Sequence, residues 1–260
     1  GKQFAFLEQY IDTSHISGEP ILHISARELI ATDYYRKEPE RERQHVKGRK
    51  RNGIDDMFST GEIEALYEET FKDVDIFQDN ISLFGNKFMS PLSKLGPTFY
   101  KYYIMDTIAM NGEDCIDLAF TPFNVESFGF TGHIYVTTDS GRFVKSVQMN
   151  VPHDINMNFV EYMNIKQDFS RQEDGTRILD KETLTAELKL VNALNGFYAH
   201  REVAYDNYCF ESNEFGQRIL DNPAKVIEDN NSMNKDDDFW NANRINEVSD
   251  KELSVARMMQ

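Results

Sequence analysis

The chain has few of the residues that define small or specialised protein classes. It contains only 2 cysteines and 7 prolines among 260 residues, which excludes disulfide-rich mini-proteins and collagen-like or proline-rich low-complexity chains. It has no run of about 18 to 20 uninterrupted apolar residues, so the sequence predicts no transmembrane helix. Basic residues are the minority, 28 against 44 acidic residues, for a formal charge of −16. This balance argues against nucleic acid as a partner, because nucleic-acid binding needs a positive surface.

Motifs of common catalytic and metal sites are also missing. The six histidines have no H-x-x-x-H spacing, and there is no G-x-S-x-G, phosphate-binding loop or G-x-G-x-x-G. The acidic run at 229–238 does not fit a calcium-binding EF-hand loop, because Met233 and Asn234 replace a ligand and the required glycine. We therefore expect no catalytic residues, no metal site and no cofactor, and we predict that the chain is not an enzyme.

The two cysteines leave two interpretations open. Cys115 and Cys209 lie far apart in the sequence and form no C-x-x-C pair, so a zinc or thioredoxin-type site is not indicated. They form either one disulfide or two unpaired thiols within strands, where a free cysteine behaves as a small apolar residue.

The residues that are present predict a folded, strand-rich body. Hydrophobic residues make up 40% and aromatic residues 12% of the chain, enough to offset the entropy of ordering. Asn111-Gly112 separates two alternating segments, 102–109 and 115–122, and predicts a β-hairpin. Further turns at 139–141, 174–175 and 195–196 predict a meander. Apolar positions repeat every second residue in several segments: Ile116, Leu118 and Phe120; Phe143, Val147, Met149 and Val151; Leu184, Ala186, Leu188 and Leu190.

Helical patterns are fewer. Ser59 and Glu62 form a capping box before an amphipathic segment that reaches residue 71, and a second box, Ser249 to Glu252, precedes a short C-terminal helix. Residues 4–11 suggest a third helix. Two long strands at 20–35 and 42–48 predict a hairpin that turns near 37–40.

A basic segment stands out in the acidic chain. Residues 36–51 hold eight basic and three acidic residues. One interpretation is a charged edge hairpin, because basic residues on an edge strand discourage pairing between molecules. The other is a contact for lipid phosphate, lipopolysaccharide or an acidic partner surface. Its candidate residues are Arg41, Arg43, Lys47, Arg49, Lys50 and Arg51.

Aromatic residues form a second candidate site. They line an apolar groove or fill the core, and sequence does not separate the two roles. The candidates are Phe99, Tyr100, Tyr102, Phe120 and Phe130.

Several short sequence motifs occur together, in the same order, in one known family. They are residues 75–84 (DIFQDNISLF), 88–92 (FMSPL) and 99–102 (FYKY) with Asp106-Thr107, and then 237–240 (DDFW) with Arg244 and 249–252 (SDKE). The chain resembles the middle region of a family of outer-membrane proteins of unknown function. In that family a carboxypeptidase-regulatory-like domain comes first, a periplasmic β-rich segment follows, and a C-terminal β-barrel closes the chain.

The resemblance implies a fold and a domain organisation. The family's middle region is similar to the lipoprotein carriers LolA and LolB. The implied fold class is α+β, with a mainly antiparallel and strongly curved sheet that forms an incomplete barrel, and with a few helices on its concave side. We expect residues 1–221 to form this domain. Residues 222–260 are expected to be an acidic linker and a short helix that lead toward the barrel, with Trp240 anchoring the linker.

The resemblance also implies a location and a function. The chain begins at Gly1 without an initiator methionine or signal segment, so we expect it to be a piece of a longer protein. The resemblance implies that this piece lies on the periplasmic side of the Gram-negative outer membrane. We predict a non-enzymatic module that binds lipid, a lipoprotein acyl chain or a partner segment in a concave groove. The alternatives are a structural or interaction domain that positions the neighbouring domains of the full-length chain, or a hydrolase acting on envelope polymers. The oligomeric state stays open.

Overall fold

The structure is a computed structural model that describes residues 11–23, 25–53, 69–70, 72–152, 155, 157, 160–189 and 196–245. The chain divides into two compact units, Gly1–His23 with Phe58–Tyr205 and Ile24–Met57 with Asp206–Gln260. This division differs from the expected boundary between residues 221 and 222, because the second unit takes an early hairpin as well as the C-terminal segment. The predicted helices at 4–11, 59–71 and 249–259 lie wholly or mostly outside the described residues.

Strands dominate the described part of the chain. In chain order they are β1 (Ile11–Thr13), β2 (Pro20–Leu22), β3 (Ser25–Lys37), β4 (Glu40–Gly53), β5 (Asn80–Leu83), β6 (Asn86–Met89), β7 (Tyr100–Met110), β8 (Glu113–Pro122), β9 (Thr131–Thr137), β10 (Val144–Asn150), β11 (Val160–Arg171), β12 (Arg177–Leu188), β13 (Gly196–Ala204) and β14 (Val226–Glu228). The helices are α1 (Gly96–Phe99), α2 (Glu214–Leu220) and α3 (Asp237–Asn243), with a 3-10 turn at Ser232–Asn234.

The first unit contains a nine-stranded sheet in the order β1-β2-β13-β12-β11-β10-β9-β8-β7. All neighbours are antiparallel except β13 and β2. Strands β7 to β13 follow one another in space as in sequence, which confirms the predicted meander. The hairpin between β7 and β8 turns at Asn111 and Gly112, whose φ angles of 49° and 81° are both positive, as an Asn-Gly turn of this kind requires. β1 and β7 are the two edges of the sheet.

The predicted fold class is wrong in two respects. The structure is mostly β, and its largest sheet is open and is neither closed nor strongly curled. In the described part of the chain, the apolar face of this sheet packs against the β5–β6 hairpin and its flanking loops, whereas helices on a concave side were expected. Alternation along a strand reports which face is buried. It does not report the curvature of the sheet, which depends on register and bulges.

One face of the nine-stranded sheet carries the core. Ile134 in β9 is opposite Val147 in β10, and Ile165 in β11 lies between Met149 in β10 and Leu184 in β12. All are buried. Residues that precede or form the β5–β6 hairpin complete the cluster from the other side, namely Val74, Ile76, Ile81, Leu83 and Phe88. The burial of this face fixes the register, because a slip of one residue would expose every apolar side chain of a strand.

A polar network lies at one end of this core. The Gln167 amide donates to the Val74 carbonyl oxygen at 2.7 Å and to the Glu182 carboxylate at 2.5 Å. Arg201 forms an ion pair with the same carboxylate. The buried charge of Glu182 is therefore compensated, and the network joins β11, β12 and β13 to the segment before β5.

The second unit is built on the β3–β4 hairpin, which turns at residues 38–39 as predicted. β14 adds to β4 in parallel, in the order β14-β4-β3. The acidic segment 229–238, which was expected to be a linker, lies between β14 and α3 and includes the 3-10 turn. Trp240 in α3 is only 1% exposed. Gly48 in β4 allows α3 to lie close to the strand, because a Cβ at this position would clash with the Phe239 ring and would touch the indole at 3.4 Å.

Gly132 in β9 should tolerate no side chain. A Cβ at this position would collide with the Gln148 carbonyl oxygen of β10, whereas at Gly196 in β13 the nearest atom of the described residues would be the Leu188 carbonyl oxygen, 3.4 Å away. We expect Gly132→Ala to lower the free energy of unfolding by about 1–3 kcal/mol because of overpacking. Gly196→Ala should stay within about 0.5 kcal/mol of the parent. Urea unfolding of both variants checks this, and equal stabilities would contradict it.

The N-terminus of α3 should be sensitive to one carboxylate. The Asp236 carboxylate accepts a hydrogen bond from the Phe239 N–H at 2.9 Å, whereas Asp238 is an exposed residue of the same first turn. We expect Asp236→Ala to destabilise the second unit by about 1 kcal/mol, and Asp238→Ala by only a few tenths of a kcal/mol. Trp240 is the only tryptophan, so its fluorescence during unfolding reports on this unit. A loss at Asp238 equal to that at Asp236 would disprove the capping role.

Candidate functional site

The basic side chains of the β3–β4 hairpin bind mainly to other residues of the second unit. Arg41 and Arg43 donate to the carbonyl oxygens of Leu220 and Asn222, at 3.2 and 2.7 Å. The Arg49 guanidinium lies 3.1 Å from the Glu228 carboxylate. Hydrogen bonds from Ser232 and Arg49 lower the pKa of Glu228.

The remaining candidates of this hairpin lie further along β4. The Lys50 ammonium is 4.6 Å from the centroid of the Trp240 ring and 3.9 Å from the Asp237 carboxylate. Lys47 is half-buried and Arg51 is exposed. Of the six candidate residues, Arg41 thus binds the last residue of α2, and Arg43, Arg49 and Lys50 contact the segment that follows α2. These contacts connect β4 to the end of α2 and the segment after it, a role that neither interpretation of the sequence included.

The aromatic candidates meet in the core of the first unit. Tyr100, Phe120 and Phe130 are buried, and Phe99 and Tyr102 pack against them. Tyr100 contacts Phe99 and Phe120 edge to face, with ring centroids 4.8 and 5.5 Å apart. Its hydroxyl donates to the Met89 carbonyl oxygen at 2.5 Å and accepts the Phe130 N–H at 3.1 Å. Burial raises the pKa of Tyr100, so this hydroxyl stays protonated and acts as a structural link.

The opposite face of the sheet carries a histidine and an aspartate in contact. The His133 Nδ1 atom lies 2.6 Å from the Asp117 carboxylate, and burial together with the Asp117 charge raises the pKa of Tyr135 beside them. In the described part of the chain, no serine, threonine or cysteine side chain is bonded to His133. The pair joins β8 to β9 and presents no nucleophile.

Within the same described part, no group of three histidine, cysteine or acidic residues is arranged to hold a metal. Both cysteines are free thiols, Cys115 buried and Cys209 exposed. None of the helices described is long and apolar enough to cross a membrane.

The edge strand β7 presents a different kind of surface. No strand of the described ranges pairs with its outer edge, and its middle carries three large exposed apolar side chains. Tyr103 is 50% exposed, Ile104 75% and Met105 60%. The β7–β8 register shifts between Ile104 and Asp106, so Met105 is the extra residue of a β-bulge. We call the outer edge of β7 with these three side chains the β7 edge.

Exposed apolar residues continue from the β7 edge to the adjoining loops. Leu95 precedes α1, and the loop between β8 and β9 exposes Phe123, Val125 and Phe128. The Phe123 N–H donates to the Phe99 carbonyl oxygen at 2.9 Å, which fixes this loop beside the start of β7. The Lys101 ammonium lies 5.4 Å from the Phe123 ring centroid. Concentrated apolar exposure of this kind marks an interaction surface.

The β7 edge is not among the sites predicted from the sequence, although the sequence contains one signal for it. Residues 102–105 are four consecutive apolar residues where a half-buried strand would alternate. Such a run indicates a strand with apolar side chains on both faces. Its exposure follows only from the position of β7 at the end of the sheet, which is a property of the topology.

The fold defines a protein built on an open, largely antiparallel β-sheet with a smaller hairpin-based unit. The model of a family of unknown function (DUF5686) matches residues 6–208, and the chain belongs to this family. The match carries neither the carboxypeptidase-regulatory-like nor the LolA-like features that the resemblance implied. No curated protein and no solved structure matches the chain.

The hydroxyl of Tyr100 should matter for stability, unlike that of Tyr103. Tyr100→Phe would leave the Met89 carbonyl and the Phe130 N–H without their bonds to this hydroxyl, so we expect a loss of about 1–3 kcal/mol in the free energy of unfolding. Tyr103→Phe, at an exposed position of the same strand, should change it by less than about 0.5 kcal/mol. Thermal and urea unfolding measure both. A neutral Tyr100→Phe would show that the aromatic cluster is not tied together by this hydroxyl.

Proposed function

We propose that this chain is a non-enzymatic interaction module of the periplasmic side of the outer membrane, which binds an extended polypeptide segment along the β7 edge. The observation that carries the proposal is the open outer edge of β7 with Tyr103, Ile104 and Met105 exposed on it. The periplasmic location in this proposal comes from the resemblance, and the binding mode comes from the geometry.

An open edge supplies backbone hydrogen bonds to an incoming strand. β7 is eleven residues long, and an edge strand has a row of N–H and C=O groups that point away from its neighbour. An extended segment that lies beside β7 can pair with these groups and extend the sheet. This mode of recognition takes its affinity from main-chain hydrogen bonds and its specificity from alternate side chains.

The exposed side chains supply that specificity. Tyr103 is opposite Ala119 of β8, and Ile104 is opposite Leu118, so they lie on different faces of the sheet. A strand added beside β7 would contact Tyr103 with one set of alternate side chains and Ile104 with the other. Burial of these large apolar groups would add about 25 cal/mol for each Å² removed from water.

The core aromatics support this mode over the binding of an apolar ligand in a groove. A groove would need open walls, whereas Tyr100, Phe120 and Phe130 are buried among their own neighbours. The apolar groups that remain accessible in this region lie on the β7 edge and the adjoining loops. They fit a polypeptide strand, which satisfies backbone groups and apolar side chains together.

A synthetic strand tests the proposal. The probe is a short fluorescein-labelled peptide of alternating threonine and valine, and its binding is followed by fluorescence anisotropy. We expect Ile104→Lys to weaken binding about tenfold or more, because a charge on the edge opposes strand addition. Phe210→Lys is the matched control, since Phe210 is an exposed apolar residue of the second unit.

Hydrogen exchange adds a second readout. Amides on the outer edge of β7 should become protected when the peptide binds, whereas those of the β3–β4 hairpin should not change. A peptide that fails to bind the chain at concentrations where the chain is monomeric, or that binds the Ile104→Lys variant as tightly as the parent, would overturn the proposal.

A further inference from the structure

We infer that the β7 edge pairs with the β7 edge of a second copy of this chain, antiparallel and about a two-fold axis that passes Tyr103. This inference rests on the proposed function, because it names the strand that occupies the open edge. Its basis is that the residues around Tyr103 are complementary to themselves when the strand is reversed.

The charges of β7 are placed for such a pairing. Lys101 and Asp106 flank the four apolar residues 102–105. Neither forms an ion pair with any residue that the structure describes: Lys101 approaches the Phe123 ring, and Asp106 accepts the Thr107 N–H. In an antiparallel pair that reverses the segment, Lys101 of each copy lies opposite Asp106 of the other. The two-fold axis produces this contact twice.

The bulge makes this register geometrically consistent. Residues five positions apart in a regular strand lie on opposite faces. In β7, however, Lys101 is opposite Thr121 and Asp106 is opposite Asp117. Thr121 and Asp117 are four positions apart on β8, so they share a face, and therefore Lys101 and Asp106 share a face as well. With Met105 left out of the pairing, Lys101 and Asp106 are each two paired positions from Tyr103.

The residues between the charges follow the same symmetry. Tyr103 would lie opposite Tyr103 of the second copy, and Tyr102 opposite Ile104. Tyr102 and Ile104 share the core-side face of β7, since their partners on β8 are Phe120 and Leu118. Directly opposite residues of an antiparallel pair must share a face, and each of these pairs does. The contact is isologous, as a closed dimer requires.

The charges around Asp106 favour the approach of a cation from the second copy. Asp106 is directly opposite Asp117 on β8, whose carboxylate also contacts the His133 Nδ1 atom at 2.6 Å, and two carboxylates in this arrangement repel. Lys101 of the second copy would bring a positive charge to this place. Bulges and charges at a sheet edge commonly discourage pairing. In β7, however, Lys101 and Asp106 are opposite in sign, and they attract each other only in the register that places each opposite the other.

Cysteine cross-linking tests the register. All variants carry Cys209→Ser to remove the exposed thiol, while the buried Cys115 is kept. Under mild oxidation, Tyr103→Cys should form a disulfide-linked dimer by itself. Lys101→Cys and Asp106→Cys should each form no disulfide-linked dimer alone, and should form a disulfide-linked heterodimer when mixed. The matched control is Thr107→Cys, an exposed residue of the same strand, which should link with none of them.

Charge reversal provides a second test under non-covalent conditions. Analytical ultracentrifugation of the parent chain should show a concentration-dependent equilibrium between monomer and dimer. Lys101→Asp or Asp106→Lys alone should weaken dimerisation about tenfold, and the double variant should restore it, because it exchanges the two charges and keeps their complementarity.

The outcomes separate this inference from the proposed function. If the chain stays monomeric and no register-specific disulfide forms while the threonine–valine peptide still binds, the second-copy inference fails and strand addition stands. If neither the second copy nor the peptide binds, both fail. Cross-links between all cysteine pairs without preference would also overturn the two-fold register.

Discussion

The fold of the first unit depends on the burial of one face of its nine-stranded sheet. Ile134, Val147, Ile165 and Leu184 meet across four strands, and the β5–β6 hairpin with its preceding loop covers them. Because each strand must present its apolar side chains to this cluster, the register of the whole meander is fixed. The meander ends at β7, so the same constraint places a strand with two apolar faces at the rim of the sheet. The candidate site is a consequence of the core.

The second unit shows how charge is used to hold a long hairpin. β4 has a dense row of basic side chains, and the end of α2 together with the segment after it supplies two carbonyl oxygens, Glu228 and the Trp240 ring to receive them. Hydrogen bonds in which one partner is charged are stronger than those between neutral groups. Basic residues that suggested a surface for phosphate therefore contact acceptors within their own unit.

The two proposals concern the same edge at different levels. Strand addition requires only free backbone groups and exposed apolar side chains. Self-pairing requires in addition that Lys101 and Asp106 lie on one face, which the bulge at Met105 brings about. A bulge that shifts a charge to the other face is thus a determinant of which strands can pair with this edge.

Sequence by itself determined the strand-rich character, the meander with its Asn111-Gly112 hairpin and the hairpin near residues 37–40, because alternation and turn residues act within a few positions of the chain. Its ordered short motifs also indicated membership of a family of unknown function, which the match over residues 6–208 confirms. It did not determine the openness of the sheet, and the implied helix-lined incomplete barrel was wrong. The tertiary structure decided which aromatics are buried, which cations are paired and which strand lies at the edge. These properties depend on contacts between residues far apart in sequence: Tyr100 is closed in by Phe130 and Met89, whereas Ile104, four residues later, has no strand beyond it in the described part of the chain.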